Sequence, residues 1–297
     1  EEGCRIWIDV EKPARSDIEA LDRIIDLDDG ALEDCLNGPE RPRIDEYDDY
    51  LALFFYGVLA VEKEGFYAPH KLVAFCGQRF LVTVHPEEMR SIHSLHGRCA
   101  RHGAKMFASG VDVLLYRLMD HLADNYLALL DRFDQRVEDL EEVSFLPNAD
   151  DQLLRDVSSI RTELLEVKRL AAAMRTLLNP LARGEFDYVS GNLAMEFRHV
   201  EEHLAHALDL LEVLRERLTG VLNNYHSTLT MHTNNIVRVL TVFAAVLLPL
   251  SLIAGIYGMN VPAWPPPDDP RSFWAILAAM GTLGSGLLLY FRTRRWF

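Results

Sequence analysis

Two long apolar segments near the C-terminus constrain the fold of this chain more than any other feature. Residues 239–256 and 273–291 contain no Asp, Glu, Lys or Arg. At about 1.5 Å per helical residue, each segment is long enough to cross the ~30 Å hydrocarbon core of a bilayer. Buried helices of a soluble core are the alternative, but aromatic residues near the segment ends are typical of a membrane interface: Tyr257, Trp264, Trp274, Tyr290 and Trp296. We therefore predict two transmembrane helices joined by a short loop.

Basic residues around the two segments predict their orientation. Arg238 precedes the first segment and arginines at 292, 294 and 295 follow the second, whereas the connecting loop holds only Arg271 beside two aspartates. Because Lys and Arg are enriched on the cytoplasmic side of membranes, both termini are expected in the cytoplasm and the loop outside. The chain is thus expected to be a multi-pass protein of a prokaryotic inner (plasma) membrane, in contact with lipid.

Composition narrows the function classes. The 297 residues carry a formal net charge of −15, and residues 238–297 contain no acid apart from Asp268 and Asp269. This balance excludes a basic nucleic-acid-binding surface. The cysteines lack C-x-x-C spacing, which predicts free thiols in a reducing compartment. No constellation of nucleophile, base and orienting residue is visible, so an enzyme is not expected.

The N-terminal third is predicted to form a cytosolic domain of mixed strands and helices. Four segments rich in β-branched and aromatic residues indicate strands: RIWIDV, LALFFYGVLAV, KLVAFC and RFLVTV. The CGQR stretch between the last two is predicted to be a hairpin turn. Ser16 and Glu19 have the spacing of a capping box, which predicts a helix through DIEALDRIIDL.

The central part of the chain is predicted to be wholly helical. Apolar residues recur every three or four residues in three series, which begin at Leu115, Leu153 and Phe197. Breaks are predicted at Pro147 and at the NPLARGEF stretch. The third series reaches Tyr225 with the strict spacing of a coiled-coil or bundle seam. Since no helix breaker falls between residues 192 and 248, this helix is predicted to continue into the first span.

The predicted fold class is an α+β cytosolic domain with a mixed sheet, then a long helical stalk and two C-terminal transmembrane helices. Six segments follow from this interpretation: a cytosolic α/β domain at 1–108, a helical bundle and stalk at 109–235, a first transmembrane helix at 236–257, an extracytoplasmic loop at 258–272, a second transmembrane helix at 273–291, and a basic cytosolic tail at 292–297.

A stripe of polar and small residues follows one side of the first predicted span. Its members recur at steps of three and four: Asn234, Val237, Thr241, Ala244, Leu248, Ser251 and Gly255. A pore wall and a helix-packing face both fit such a stripe. Two transmembrane helices cannot enclose a polar path alone, so a pore would require several copies of the chain around an axis.

A Tyr-Gly-Met-Asn motif stands at the end of this span. The segment MHTNNIVRVLTVFAAVLLPLSLIAGIYGMN is followed by a short loop, a second span and the tail RTRRWF. Together with IWIDVEKP, FLVTVHPEE and LLYRLMDHLADNYLALLDRFDQRVEDLEE, these features closely resemble the CorA magnesium transporter family, whose signature is this motif after a Pro-containing span. The resemblance implies a homopentameric channel or transporter for Mg²⁺, with Co²⁺ and Ni²⁺ as further candidate ions.

The resemblance also implies roles for individual residues. Gly258, Met259 and Asn260 correspond to the selectivity filter, in which the Gly258 carbonyl and the Asn260 amide oxygen would hold hydrated Mg²⁺ through its waters, since Mg²⁺ dehydrates reluctantly. Further pore-lining residues are Asn234 and Ser251 as polar rings, Thr241, and Val237, Leu240 and Leu248 as apolar constrictions. In this family, divalent ions bound between cytosolic domains hold the pore shut.

Two departures from the family pattern leave the transported ion open. The loop reads VPAWPPPDDP and lacks the glutamate of many relatives, so Asp268 and Asp269 are predicted to attract cations electrostatically at the outer mouth. Asn223 stands where some relatives carry a regulatory aspartate, which keeps the ZntB-like zinc branch of the superfamily as an alternative. A membrane-anchored coiled-coil sensor or scaffold is the alternative of another class.

Candidate regulatory metal ligands lie in two cytosolic segments. The RIDEYDDY segment offers four carboxylates, Asp45, Glu46, Asp48 and Asp49. The stalk helix carries His199, His203 and His206 on one face, and imidazole is a ligand that Zn²⁺ prefers. The EDLEE segment offers further carboxylates, although most charged runs are solvated faces.

Overall fold

The computed structural model of the chain describes residues 4–37, 42–60, 67–146, 151–259, 270–294 and 296. These residues divide into two compact units. One comprises residues up to 143 together with 150–222, and the other comprises 144–149 together with 223–297.

A five-stranded sheet organises the N-terminal part of the first unit. Its strands are β1 Ile6–Glu11, β2 Arg43–Glu46, β3 Tyr50–Ala60, β4 Tyr67–Gly77 and β5 Phe80–His85, in the order β1-β5-β4-β3-β2. β1 pairs with β5 in parallel, and the other neighbours pair antiparallel. The four predicted strands and the turn between β4 and β5 are thereby confirmed, and the sheet is mixed as predicted.

The strand β2 lies in the segment from which carboxylate ligands were predicted. It has the sequence RIDE, with one apolar residue and partly exposed side chains, so its pattern gave no strand signal. It forms because it lines up against the buried strand β3, with Ile44 opposite Leu53. Pairing with a neighbouring strand therefore outweighs the weak local preference.

Three helices accompany the sheet: α1 Arg15–Asp22, α2 Asp29–Asn37 and α3 Arg90–Ala108. α1 and α2 bury Ile18, Leu21 and Leu32 in one hydrophobic core with Phe54 and Phe75 of the sheet. Burial of five such side chains contributes roughly 1.5–3 kcal/mol each before conformational entropy is counted. The two short helices thus gain their stability from the sheet they cover.

The predicted capping box at Ser16 and Glu19 is wrong. α1 begins at Arg15 with Ala14 as its N-cap residue, and the carboxylate of Asp17 accepts the backbone N–H of Ala14 at 2.9 Å. Ser16 already lies inside the first turn, where its hydroxyl cannot cap that turn. The helix also ends at Asp22, before the predicted end.

Two long helices, α4 Val111–Ser144 and α5 Asp151–Arg183, precede the stalk helix α6 Ala194–Tyr257. The apolar series predicted for the three helices line their buried faces; examples are Leu118 and Phe133 on α4, Val167 on α5 and Leu211 on α6. The predicted break at Pro147 lies outside the described residues. α6 is continuous into the first predicted span, as its sequence indicated, and Pro249 lies inside it.

The predicted break in the NPLARGEF stretch occurs at Gly184 and not at its proline. α5 includes Pro180 and runs on to Arg183. Gly184 has a φ of +67°, its N–H donates to the Leu181 carbonyl at 3.1 Å, and the N–H of Glu185 donates to the Pro180 carbonyl at 3.1 Å. These two bonds form a Schellman motif, which requires the left-handed conformation that glycine adopts without strain.

Asp112 ties the start of α4 to the turn that precedes α6. Its side chain is buried, and its Oδ2 accepts both the N–H of Ser190 at 2.9 Å and the Ser190 hydroxyl at 2.5 Å.

Replacement of Asp112 by alanine would leave these donors unpaired, so we expect Asp112→Ala to lower the free energy of unfolding by about 2–3 kcal/mol. Thermal unfolding of the full chain in detergent measures the loss, and Asp209→Ala, at an exposed site on α6, is the control. Equal melting temperatures for both variants would contradict this role.

Candidate functional site

The polar stripe of the first span lies on the open side of α6. Asn234, Thr241, Ser251 and the other stripe residues are exposed in the protomer. Val237 and Leu248 of the stripe are 54% and 68% exposed, and Leu240, which lies beside the stripe, is 68% exposed. Such exposure of large apolar side chains in a folded protomer indicates a surface that another molecule covers.

The second span, α7 Pro270–Thr293, lies against the other side of α6. Within 223–297, the α6 side chains that are buried or partly buried include Val242, Val246 and Leu250. An apolar cleft of about 390 Å³ between the two helices is lined by α6 side chains and by Leu288 of α7. A Cβ on Gly284 would lie 3.6 Å from Leu250 Cδ1. At 3.6 residues per turn, the covered residues and the stripe lie on opposite sides of α6. The stripe is therefore not the face that packs against α7.

Both span helices are long and apolar enough to cross a membrane. Only 6% of the first apolar window and 11% of the second is buried within the protomer. Helices of a soluble core would be mostly buried, so the alternative interpretation as core helices does not fit this exposure.

Thr241 has a defined hydrogen-bonding state within the stripe. Its hydroxyl donates to the Val237 carbonyl, one turn earlier, at 2.7 Å. The hydroxyl proton is therefore occupied, and only its oxygen lone pairs remain for another partner. On the exposed side of α6, Thr241 thus presents an acceptor, which suits a hydrated cation.

α6 ends where the Tyr-Gly-Met-Asn motif begins. Its last residue is Tyr257, the N–H of Gly258 donates to the Ala254 carbonyl at 2.9 Å, and the N–H of Met259 donates to the Ile256 carbonyl at 3.2 Å. A Cβ on Gly258 would lie 3.2 Å from the Ala254 oxygen, so glycine suits this close approach. Asn260, Asp268 and Asp269 lie outside the described residues.

The carboxylates predicted near β2 are partly engaged by other groups. Asp45 pairs with the Arg43 guanidinium, with Oδ2 2.6 Å from Nε. The Tyr188 hydroxyl donates to the backbone carbonyl of Asp48. Asp48 and Asp49 line a surface cleft of about 470 Å³, and Glu46 is an exposed residue at the end of β2. These acids do not form a compact metal site among the described residues.

Glu141 of the EDLEE segment is also engaged by an arginine. Arg217 on α6 donates to both of its oxygens, at 3.0 and 2.8 Å. These hydrogen bonds lower the pKa of the Glu141 carboxyl below its usual value. The pair joins α4 to α6 and leaves Glu141 poorly placed to bind an ion.

The three stalk histidines occupy different surroundings. His199 packs its ring against that of His203, with ring centroids 4.4 Å apart, and His206 is exposed. His203 faces Asp120 and Asp124 of α4, and one ligand atom from each of these three residues lies within 4.8 Å of the others. His203 was a predicted candidate, but the two aspartates were not predicted, although their separation of four residues places them on one helix face.

The cysteines of the sheet domain are free thiols, as predicted. Burial raises the pKa of Cys35 and of Cys76 to about 12. Both thiols are therefore protonated at neutral pH, and buried thiols of this kind are unreactive.

Comparison with known proteins places these features in context. The profile of the family described as CorA-like Mg²⁺ transporter protein matches residues 4–295. The cobalt/magnesium transport protein CorA of Thermotoga maritima is 27% identical over 296 residues, which cover 98% of this chain and 83% of that protein. The zinc transport protein ZntB of Pectobacterium atrosepticum is 20% identical over 176 residues, which cover 57% of this chain and 53% of that protein.

The fold also has a solved counterpart. The structure of the CorA magnesium transporter from Methanocaldococcus jannaschii matches with a TM-score of 0.87 and 23% identity, and the match covers 100% of this chain and 93% of that one. The likeness therefore includes the sheet domain, the long helices and both span helices.

Proposed function

The chain belongs to the CorA-like Mg²⁺ transporter protein family, and from this we propose that it conducts Mg²⁺, with Co²⁺ as a second substrate, through a homopentamer. One observation carries the proposal beyond family membership: the polar stripe of α6 is exposed on the side opposite α7. Several copies arranged with this stripe inward would enclose a path with polar rings, while α7 would separate that path from lipid. The path would be lined by Asn234, Thr241 and Ser251.

The end of α6 supports a cation filter at the motif. A helix C-terminus carries a partial negative charge of about half an elementary charge, from its unpaired carbonyl groups. Five such ends around an axis would attract a cation without a carboxylate. Gly258 and Asn260 would then bind hydrated Mg²⁺ through its waters, weakly enough for the ion to leave.

Apolar residues on and beside the stripe would close the path. Rings of Val237, Leu240 and Leu248 would expel water when the pore narrows and so block a hydrated ion. We further propose that divalent ions in the cytosol favour this closed state. The predicted segments would then have distinct places: residues 1–235 and the tail 292–297 in the cytoplasm, and the loop 258–272 outside an inner membrane.

Stopped-flow uptake tests the proposal directly. The purified chain is reconstituted into liposomes that contain a Mg²⁺-sensitive dye, and Mg²⁺ is added outside. We expect dye signal to rise faster than in protein-free liposomes at low internal Mg²⁺. Rates equal to those of empty liposomes across a range of internal Mg²⁺ would overturn the proposal.

Zn²⁺ transport is the second candidate. It is favoured by the similarity to ZntB and by the imidazole of His203 beside two carboxylates. The similarity to CorA spans nearly the whole chain, whereas that to ZntB spans little more than half, which favours Mg²⁺. Uptake of both ions from one mixture decides between them, since the physiological ion should suppress the flux of the other.

The loop acids give an electrostatic prediction. Five copies of Asp268 and Asp269 would place a ring of carboxylates near the outer mouth, and such a ring would raise the local concentration of divalent cations. We expect the double change to Asn to slow Mg²⁺ uptake severalfold at low salt and to approach wild type at high salt, because salt screens charges beyond ~8 Å at physiological strength. Asp131→Asn on α4 is the matched control. A loss independent of salt, or an altered Mg²⁺ to Co²⁺ preference, would make the two aspartates direct ligands.

A further inference from the structure

We infer that Asp120, Asp124 and His203 form a binding site for a transition-metal ion within a single protomer, between α4 and α6. One ligand atom of each residue lies within 4.8 Å of the other two. All three residues belong to the first compact unit. The role of this site would be to regulate the transporter, so that role rests on the proposed function.

The spacing of the three groups suits a metal ion. Two ligand atoms held about 2.1 Å from one tetrahedral ion lie roughly 3.4 Å apart. His203 Nδ1 is 3.8 Å from Asp124 Oδ1, so a shift of a few tenths of an ångström would bring the two atoms to that separation. Asp120 and Asp124 are one helical turn apart on α4 and both face α6.

The His203 ring supplies a second observation that points to a ligand. Its Nδ1 is buried and has no hydrogen-bond partner among the described residues, because 3.8 Å from Asp124 is too long for a hydrogen bond. A buried polar atom without a partner costs about 1–3 kcal/mol, and a bound ion would remove this cost. Nδ1 is also the ring atom that faces the Asp124 carboxylate.

The chemistry of the three groups selects the class of ion. Imidazole nitrogen binds Zn²⁺, Co²⁺ and Ni²⁺ well, whereas Mg²⁺ strongly prefers oxygen ligands and keeps its waters. One nitrogen and two carboxylate oxygens would therefore prefer a transition metal even where Mg²⁺ is abundant. Metal bound here would join α4 to α6, and α6 is the helix that continues into the first span.

Zn²⁺ titration of the purified full chain in detergent, with about 1 mM Mg²⁺ present throughout, tests the site. Calorimetry is expected to show one more Zn²⁺ site per chain in the wild type than in His203→Gln. Asp120→Asn and Asp124→Asn should each weaken that site at least about tenfold, since even the loss of an outer-shell partner costs 10–100-fold. His206→Gln, at an exposed position on the same helix, is the matched control and should titrate like the wild type.

Two further measurements separate the possible causes of failure. Zn²⁺ should raise the melting temperature of the wild type more than that of His203→Gln, because a ligand that binds only the folded state stabilises it. Mg²⁺ uptake without Zn²⁺ should be the same for the wild type and His203→Gln, and equal uptake would show that the variant is folded. Identical Zn²⁺ titrations for the wild type and His203→Gln would overturn the site, whereas absent Mg²⁺ uptake by the wild type would overturn the proposed function alone.

Discussion

Replacing Asn260 by alanine is expected to reduce Mg²⁺ uptake at least tenfold. In the proposed pentamer the change removes five amide oxygens that hydrogen-bond the waters of Mg²⁺. At about 1 kcal/mol for each hydrogen bond, the loss exceeds the 1.4 kcal/mol that corresponds to a factor of ten. Stopped-flow uptake into liposomes measures the change, with Co²⁺ uptake recorded in parallel for selectivity.

The same variant separates the transporter from the alternative of a membrane-anchored sensor. A sensor that uses its spans only as an anchor would need neither the motif nor the exposed polar stripe. Asn192→Ala is the matched control, since this asparagine is exposed in the short 3₁₀ helix before α6. Normal Mg²⁺ uptake by Asn260→Ala would remove the filter from the proposal.

Replacing Leu248 by asparagine is expected to keep the pore conducting when internal Mg²⁺ is high. Leu248 is 68% exposed on the open side of α6, where a ring of leucines would expel water from a narrow pore. An amide at this position hydrates the constriction and removes that barrier. Uptake into liposomes preloaded with Mg²⁺ should therefore be severalfold faster than for the wild type, while uptake at low internal Mg²⁺ should change little.

Leu289→Asn tests whether any polar residue in a span has this effect. Leu289 is 61% exposed on α7, away from the proposed path. If Leu289→Asn conducts as Leu248→Asn does, the effect is a general disturbance of the membrane region. If Leu248→Asn remains as inhibited as the wild type, the constriction lies elsewhere along α6.

Helical periodicity and the membrane spans could be read from the sequence because both are local properties. The apolar series that starts at Phe197 requires only the spacing of neighbouring turns, and the structure buries its members on one face of α6. The continuity of α6 to Tyr257 followed in the same way from the lack of a breaker. The motif at its end was recognisable because its residues are adjacent in the chain.

Short secondary-structure elements and the exact ends of helices were harder to predict from the sequence. β2 depends on the register with β3, and the cap of α1 depends on Asp17 rather than on the expected Ser16. In α5 the sequence offered both a proline and a glycine, and the hydrogen bonds of Gly184 and Glu185 determine which of them ends the helix. These outcomes reflect competition between neighbouring residues of similar local preference.

The contacts between helices required the tertiary structure. The sequence placed His199, His203 and His206 on one face, but only the packing of α4 against α6 distinguishes His203, which meets Asp120 and Asp124, from His206, which is exposed. The same holds for the stripe of the first span, since its spacing fits a packing face as well as a pore wall, and the position of α7 on the opposite side excludes packing against α7. Periodicity defines a face of a helix, whereas the partner of that face depends on residues distant in the chain, whose approach is governed by the packing of the whole unit.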